Sequence, residues 1–389
     1  MRYALVAIAF VHGSIHALGF LKAFGFARLE RLELSTSRPL GALWLVAGVL
    51  FIVSAVSLVA LPRQWWAFAA PALVLSQALI LHSWSAARFG TIPNVVVLVP
   101  VALALLDLRG SSLRSMYATE VRRGVTRAVS TSLVTDEDVA KAPRLLQAYL
   151  RHVGVVGRPR VHDFRARFAG EMRAKPGADW MSAHAEQYSF FDVPTRLFLM
   201  DASLHGLPFQ AYHRYVGSTA SMRVRTLSLV ELVDASGPEM NQSETVTLFN
   251  DMCLLAPATL LYANVLWEDV DRNTLRATFT NGDQRIVAEL IFDDEGDLVS
   301  FVSSDRYQSA DGKTYVKYPW VTPVREYGSF GGQRLARKAE AIWRQPDGDY
   351  VYGRFTLEEI EYNVTAQTGK GRRAGPLARG AVPSSTHDP

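Results

Sequence analysis

Four long stretches in the first 107 residues of this chain contain no Asp, Glu, Lys or Arg. They lie between Arg2 and Lys22, Arg38 and Arg63, Arg63 and Arg88, and Arg88 and Asp107. After Asp107 charged residues become frequent. A bilayer imposes this kind of segregation, because a charged side chain at the centre of a spanning helix costs about 2.5–3.5 kcal/mol on insertion scales. The average composition, 20% charged residues and 49% hydrophobic, conceals the contrast between the two parts.

Tyr3–Leu21 is near the lower limit of the roughly 17–25 residues that a helix needs to cross hydrocarbon. Gly13, Ser14 and His16 interrupt its apolar core and no small-residue cleavage site follows, so it reads as a retained helix rather than a signal peptide. Pro39–Leu61 is the strongest span. Gln64–Ala87 opens with Trp65 and Trp66, rings suited to the headgroup boundary, and Ile92–Leu106 is shorter and carries Pro93 and Pro100. Arg2, Arg63, Arg109, Arg114, Arg122 and Arg123 on one side nearly balance Lys22, Arg28, Arg31, Arg38 and Arg88 on the other. The positive-inside rule therefore leans only slightly toward a cytoplasmic soluble part. His12 and His16 share one face of the first helix and His82 lies in the third. With no carboxylate inside the spans, they read as neutral rings bonded to neighbouring helices.

The second part is patterned for strands. Residues 108–135 form an Arg- and Ser-rich connector, followed by an amphipathic helix over about 138–152 with Asp136 as its expected cap and Pro143 as a late start or break. From Val161 the period is two: Phe164, Ala166, Phe168, Gly170 and Met172 alternate with Arg165, Arg167, Ala169, Glu171 and Arg173. Trp180, His184, Tyr188 and Phe190 share one parity of the next expected strand, and a turn at His205-Gly206 joins two more. Met222–Val233 reads as one longer run, ending at the turn signal Asp234–Pro238. SETVTLFNDMCLLAP interrupts the pattern as a helix capped by Ser243. Strands resume at Leu275–Thr280, Arg285–Phe292 and Leu298–Arg306, then near 314–327, 334–344 and 350–363, with turns at Asp293–Gly296 and Pro346–Gly348.

The expected fold is thus a membrane α-helical bundle of about four transmembrane helices, followed by a mainly antiparallel β domain of about eleven strands. That many consecutive strands must curl or close, giving a curled or incomplete β-barrel with one or two helices. The expected divisions are 1–107 for the membrane part, 108–135 for the connector, 136–363 for the β domain and 364–389 for a disordered basic tail.

SETVTLFNDMCLLAP, SSDRY, PWVTP and VYGRFTLEEIEYN together resemble an uncharacterised bacterial domain-of-unknown-function family over roughly 137–363. That resemblance implies a domain and brings no activity with it. HGSIHALGF and ARFGTIPN give the membrane part a likeness to four-helix DoxX-type integral membrane proteins. The strand-rich order with one helical interruption is similar to the open, incomplete β-barrels of LolA-type lipoprotein carriers, which implies a concave apolar surface holding acyl chains.

Chemistry is sparsely signalled. The single cysteine, Cys253, excludes an intramolecular disulfide framework and reads as a packed core residue beside Asp251, since a neighbouring carboxylate suppresses thiolate formation. His184, His205 and His213 match no zinc spacing, so no metal is expected, and no cofactor. There is no Walker loop, nucleophile elbow or dinucleotide fingerprint. A formal charge of +4 is small for 389 residues, so nucleic acid is not an expected partner. Asn250, Asp251, Asp305, Arg306, Trp320 and Arg354 are the candidate ligand-contacting residues. The expected role is a membrane-tethered binding module for a lipid or other apolar ligand in the bacterial inner membrane. An enzyme acting on a membrane-associated substrate, using Asp251, Asp305 and Arg306, is the first alternative, and a structural or assembly protein the second. The oligomeric state is not encoded legibly.

Overall fold

The computed structural model describes residues 2–26, 36–62, 64–125 and 132–365. The expectations for Arg28, Arg31, Arg63, the connector residues 126–131 and the tail from 366 lie outside the described residues. The chain forms two compact units that divide between Arg109 and Gly110.

The first unit comprises α1 (Arg2–Ala23), α2 (Arg38–Ala60), α3 (Trp66–His82), α4 (Trp84–Ala87) and α5 (Thr91–Asp107). Among the described residues, three stretches, Arg2–Ala23, Arg38–Ala60 and Trp84–Asp107, are long and apolar enough to cross a membrane. α3 is apolar but only 17 residues long. The expected third span, Gln64–Ala87, is therefore cut at Ser83, and the expected short fourth one begins well before Ile92. Arg88 explains the difference: a charge bounds an apolar run in the sequence but leaves backbone hydrogen bonding free to continue. A 3-10 turn, Arg88–Gly90, joins α4 to α5.

Small residues bring α1 against α2. A Cβ on Gly48 would stand 2.6 Å from the Gly13 carbonyl, and one on Gly13 would stand 2.8 Å from the Gly48 carbonyl. Such contact between backbones is how helices pack where water does not drive them together. A polar chain links the helices further. His12 Nε2 donates to Asn94 Oδ1 at 2.9 Å, and His16 Nδ1 donates to the His12 carbonyl at 2.8 Å. Ser76 then donates to His16 Nε2 at 2.9 Å, while Asn94 Nδ2 donates to Ser76 and to Gln77 Oε1, each at 3.0 Å. Neutral histidines satisfy every one of these bonds. His12, His16, Ser54, Ser57, Ser76 and Asn94 are buried, while Phe10, Val11, Val46, Val74, Leu98 and Val99 face outward.

The second unit opens with α6 (Leu113–Val125), α7 (Asp136–Ala140) and α8 (Arg144–His152). The expected helix over 138–152 is two helices, because Pro143 carries no amide hydrogen and favours extended backbone before it. Thr135, not Asp136, is the cap: its Oγ1 accepts from Asp138 N, and Asp138 Oδ2 accepts from Thr135 N, both at 3.1 Å.

Fifteen strands follow among the described residues, rather than about eleven. The first meander is β1 (Asp163–Met172), β2 (Met181–Phe190), β3 (Thr195–Leu204), β4 (Leu207–Val216), β5 (Thr219–Thr226) and β6 (Val230–Ser236). Trp180 lies just outside β2. The run Met222–Val233 is not one strand, because Leu227 and Ser228 turn the chain with φ of 55° and 56°. Leucine is not a turn former and a lone serine is a weak signal, so the break left little mark in the sequence. After α9 (Pro238–Leu255) come β7 (Val265–Asp269), β8 (Thr274–Asn281), β9 (Gln284–Phe292) and β10 (Leu298–Ser303). A small ribbon, β11 (Tyr307–Gln308) with β12 (Val316–Lys317), precedes β13 (Trp320–Phe330), β14 (Gln333–Gln345) and β15 (Gly348–Tyr362).

Thirteen of these strands form one open antiparallel sheet, ordered β6-β5-β4-β3-β2-β1-β15-β14-β13-β10-β9-β8-β7. Its two edges, β6 and β7, are consecutive in sequence. The chain between them must cross the full face of the sheet, and α9 is that crossing. The crossing buries every residue from Ser243 to Leu255. Ser243 is therefore no cap: α9 begins at Pro238 after Gly237, and Ser243 Oγ accepts from Tyr307 N at 3.0 Å. The sheet curls around the helix. Asn281, ending β8, donates to Tyr215 OH at 2.6 Å and to the Gly217 carbonyl at 2.5 Å, at the other wing. On the opposite face α6 lies on Tyr188, Phe190, Leu197, Leu199 and Tyr212. Gly124 allows this approach, since a Cβ there would stand 2.2 Å from Phe190.

Candidate functional site

The face of α9 turned toward β2–β4 carries Glu244, Thr247 and Asp251, spaced one and two turns apart. Arg196 of β3 meets both acids. Its Nε donates to Asp251 Oδ2 at 2.6 Å and its Nη1 to Glu244 Oε2 at 3.1 Å, with only 8% of the side chain exposed. Gln187 of β2 adds a 2.8 Å bond to Asp251, and His213 of β4 lies 3.1 Å from Glu244. Burial alone would raise the Glu244 carboxyl, but His213, Arg196 and Arg306 outweigh it and hold the group at about 2. Burial likewise works against the Arg196 charge and is overcome by Asp251 and Glu244, leaving the guanidinium more firmly protonated. Two guanidinium side chains, Arg196 and Arg306, thus face two acidic ones, Glu244 and Asp251.

Arg306 completes the group from the strand side. Its Nε donates to Thr247 Oγ1 at 3.2 Å and its Nη1 to Tyr352 OH at 3.1 Å. Trp320 donates to the same hydroxyl at 3.0 Å. The guanidinium lies 4.4 Å from the Trp320 ring and 5.1 Å from that of Trp343, where aromatic faces favour a cation.

Three of the candidate residues, Asp251, Arg306 and Trp320, line this cluster. Asn250 is one position round the helix and donates to Thr322 Oγ1 of β13 at 2.6 Å. Asp305 turns away from Arg306: it accepts from Val287 N at 2.8 Å and pairs with Lys317 at 3.5 Å. Arg354 is half exposed, bonded to Glu171 at 3.0 Å and Glu340 at 3.2 Å and lying 4.6 Å from the Trp180 ring. The three histidines do not converge. His184 is exposed on β2, His205 stands at a hairpin tip 3.4 Å from Asp179, and His213 faces α9. Cys253 is fully buried, and burial together with Asp251 pushes its thiol well up.

Sequence reading missed Arg196, Gln187, Glu244, Thr247 and Tyr352, and weighed His213 only as a metal ligand. A usable signal existed for Arg196: the parity Arg196, Phe198, Met200, Ala202 sets one charge among apolar residues. Its partners came from a helix whose crossing role could not be seen.

Beyond the cluster the same face changes character. Ala183 and Ala185 of β2, Met200 and Ala202 of β3, and Ala211 of β4 are buried beneath half-buried Phe168, Met172, Met181, Phe198, Phe209, Val224 and Phe355. Phe198 is the junction, with Arg196 4.7 Å over its ring and the His213 ring 5.9 Å away, edge-on. The surface therefore passes from a buried, charged cluster to an apolar floor of small residues and thioethers, which adapt readily to an apolar partner.

These features define a two-unit protein: apolar helices, then an open antiparallel sheet curled around a buried helix. The chain belongs to a family of unknown function, DUF6544, whose sequence profile matches residues 132–355, more than half of its length. No curated protein matches it. Among solved structures it is similar to a putative outer membrane lipoprotein-sorting protein domain from Vibrio parahaemolyticus, with 10% identity, 58% of this chain and 93% of that one covered, and a TM-score of 0.32. It is also similar to a DUF1329 family protein from Desulfovibrio piger, with 13% identity, 57% and 92% covered, and a TM-score of 0.34. A LolA superfamily protein from Nitrosomonas europaea matches at 9% identity, 59% and 94% covered, with a TM-score of 0.32. The LolA-type likeness read from the strand order thus has counterparts among known structures, as a likeness of fold alone.

Proposed function

We propose that this chain is a multi-pass protein of the bacterial inner membrane whose sheet shelters the hydrocarbon part of a lipid or another apolar molecule. The half-buried apolar floor on the face bearing α9 carries this reading. A soluble domain keeps such a surface uncovered at a cost of roughly 25 cal/mol per Å². An acyl chain laid over half-buried Phe168, Met172, Phe209 and Phe355 removes that cost, and its polar end then meets Phe198, His213 and Arg196. The first unit supports the tether: His12, His16, Ser76 and Asn94 are buried between its helices while many large aliphatic side chains, such as Val11, Val74, Leu98 and Val99, face outward. In this reading α3, about 25 Å long at 1.5 Å per residue, crosses as the shortest of four spans. The enzymatic alternative needs Asp251, Asp305 and Arg306 together. Asp305 faces elsewhere, and Asp251 already accepts from Arg196 and Gln187.

The test is extraction of the full chain into native membrane particles, followed by mass spectrometry of tightly held lipid. Lipid should accompany the chain, and Ala185→Trp with Ala202→Trp, which fills the floor, should release it. An unmodified protein that retains no lipid beyond the surrounding bilayer overturns the reading.

A further inference from the structure

The tips of the β3–β4 and β5–β6 hairpins lie side by side at one end of the sheet. Leu227 N donates to the Pro208 carbonyl at 3.4 Å and Thr226 Oγ1 to the same carbonyl at 2.9 Å. They present Leu207, Leu229, Val230 and Leu232, which are 44%, 53%, 53% and 49% exposed. Grouped large aliphatics at loop tips are costly in water and ordinary at a lipid boundary. Their backbone is unusual as well. His205, Leu227 and Ser228 hold φ of 48°, 55° and 56°, a left-handed region that Gly or Asn occupies with less strain. Leu227 and Ser228 therefore serve the turn poorly, so something other than turn formation accounts for a leucine-rich tip there.

Covalent geometry supplies the partner. The start of α6 is tied to this end of the sheet: Arg225 Nη1 donates to the Ser111 carbonyl at 2.8 Å, and Arg114 pairs with Asp201 at 2.6 Å. Ser111 follows Asp107, the end of the apolar stretch Trp84–Asp107, by four residues. Four residues reach at most about 14 Å even when fully extended. If Trp84–Asp107 spans, the bilayer surface lies within that reach of Ser111. The apolar floor also reaches this end: Met181, Ala183, Ala202, Phe209, Ala211 and Val224 sit on the segments of β2–β5 nearest these tips.

We propose that Leu207, Leu227, Leu229, Val230 and Leu232 insert into the headgroup–acyl boundary of the membrane that holds the first unit, so that the apolar floor opens directly onto lipid. This rests on the membrane reading above and adds to it a docking surface and an entry side for the ligand. Strands β4 and β5 then lead from the bilayer to His213 and Phe198.

The experiment uses the full chain reconstituted at one copy per nanodisc of phosphatidylcholine, with and without bromine on the acyl chains. An environment-sensitive fluorophore is placed on Leu229→Cys and, as a control, on Val270→Cys in the β7–β8 turn, Cys253 being buried. The Leu229→Cys label should emit to the blue and be quenched by brominated lipid, while the Val270→Cys label should be neither. A second variant, Leu227→Asn with Ser228→Gly, relieves the turn: it should unfold at higher denaturant yet reduce quenching at Leu229→Cys. A chain that resists carbonate extraction but leaves the Leu229→Cys label unquenched overturns the docking while the membrane reading stands. A chain released by carbonate overturns both. Protection seen only in vesicles carrying many copies assigns the tips to a second copy of this chain and also overturns the proposal.

Discussion

Replacing Arg196 by Met isolates the energetics of the buried cluster. Arg196 gives Asp251 its 2.6 Å bond and Glu244 its 3.1 Å bond, with side-chain exposures of 8%, 12% and 2% for the three residues. Without the guanidinium, Asp251 keeps only the Gln187 amide at 2.8 Å and Glu244 only His213 at 3.1 Å. Two buried carboxylates then lose the guanidinium they share, and Arg306, bonded to Thr247 and Tyr352, is the one that remains in the cluster. Removing one partner of a buried pair costs about 3–5 kcal/mol. At roughly 2–4 °C per kcal/mol for a domain of this size, melting falls by about 6–20 °C. The triple variant Arg196→Met, Asp251→Asn, Glu244→Gln removes the charges together, so most of the loss should return. The assay is urea unfolding of the detergent-solubilised full chain, followed by amide exchange in β2–β4. The reasoning is refuted if Arg196→Met alone shifts the transition by less than about 1 kcal/mol, the value of an exposed pair.

Acid should act through Glu244: its folded carboxyl sits at about 2 against an ordinary 4.5, so its contribution is complete above about 4.5 and lost as pH falls toward 2. Glu244→Gln should flatten that part of a stability–pH curve. Gly124→Val should cost about 1–3 kcal/mol by overpacking against Phe190 and expose α6 to amide exchange, with Phe190→Ala restoring part of it. Asn94→Leu removes the acceptor of His12 and should lower thermal stability in detergent by about 1–3 kcal/mol, whereas Asn94→Gln should lose less. Cys253, fully buried with its thiol pushed up, should react with maleimide only after unfolding; labelling of the folded chain would contradict its placement.

The two halves of the sequence were legible for different reasons. The apolar runs are free of charge and so show in a bare count, although helix ends at Ser83 and Trp84 do not, because composition does not mark a turn. Period-two alternation exposed β1, and glycine or proline marked the turns at His205-Gly206, Asp293–Gly296 and Pro346–Gly348. The break at Leu227-Ser228 passed unseen because no glycine, proline, asparagine or aspartate marks it, and a lone serine is a weak turn signal. The cluster was half legible: Asp251, Arg306 and Trp320 stood out as polar or aromatic residues in short motifs. Arg196 and His213 depend on strands brought beneath α9 by a topology that local pattern does not encode. Asp305 and Arg354 show the converse, since their neighbours in sequence point to other surroundings.

The order of the sheet has a consequence for how the chain is made. β15 pairs with β1 on one side and β14 on the other, so the strand synthesised last stands at the centre of the thirteen. Until about residue 362 has left the ribosome, two half-sheets exist with unsatisfied inner edges, and such edges invite wrong pairing. Loss of the final fifteen-residue strand would divide the sheet in two, where removing β6 would merely shorten its margin. Assembly is accordingly governed by contacts nearly 200 residues apart, such as Phe164 with Tyr362, and belongs among the slow, non-local kind.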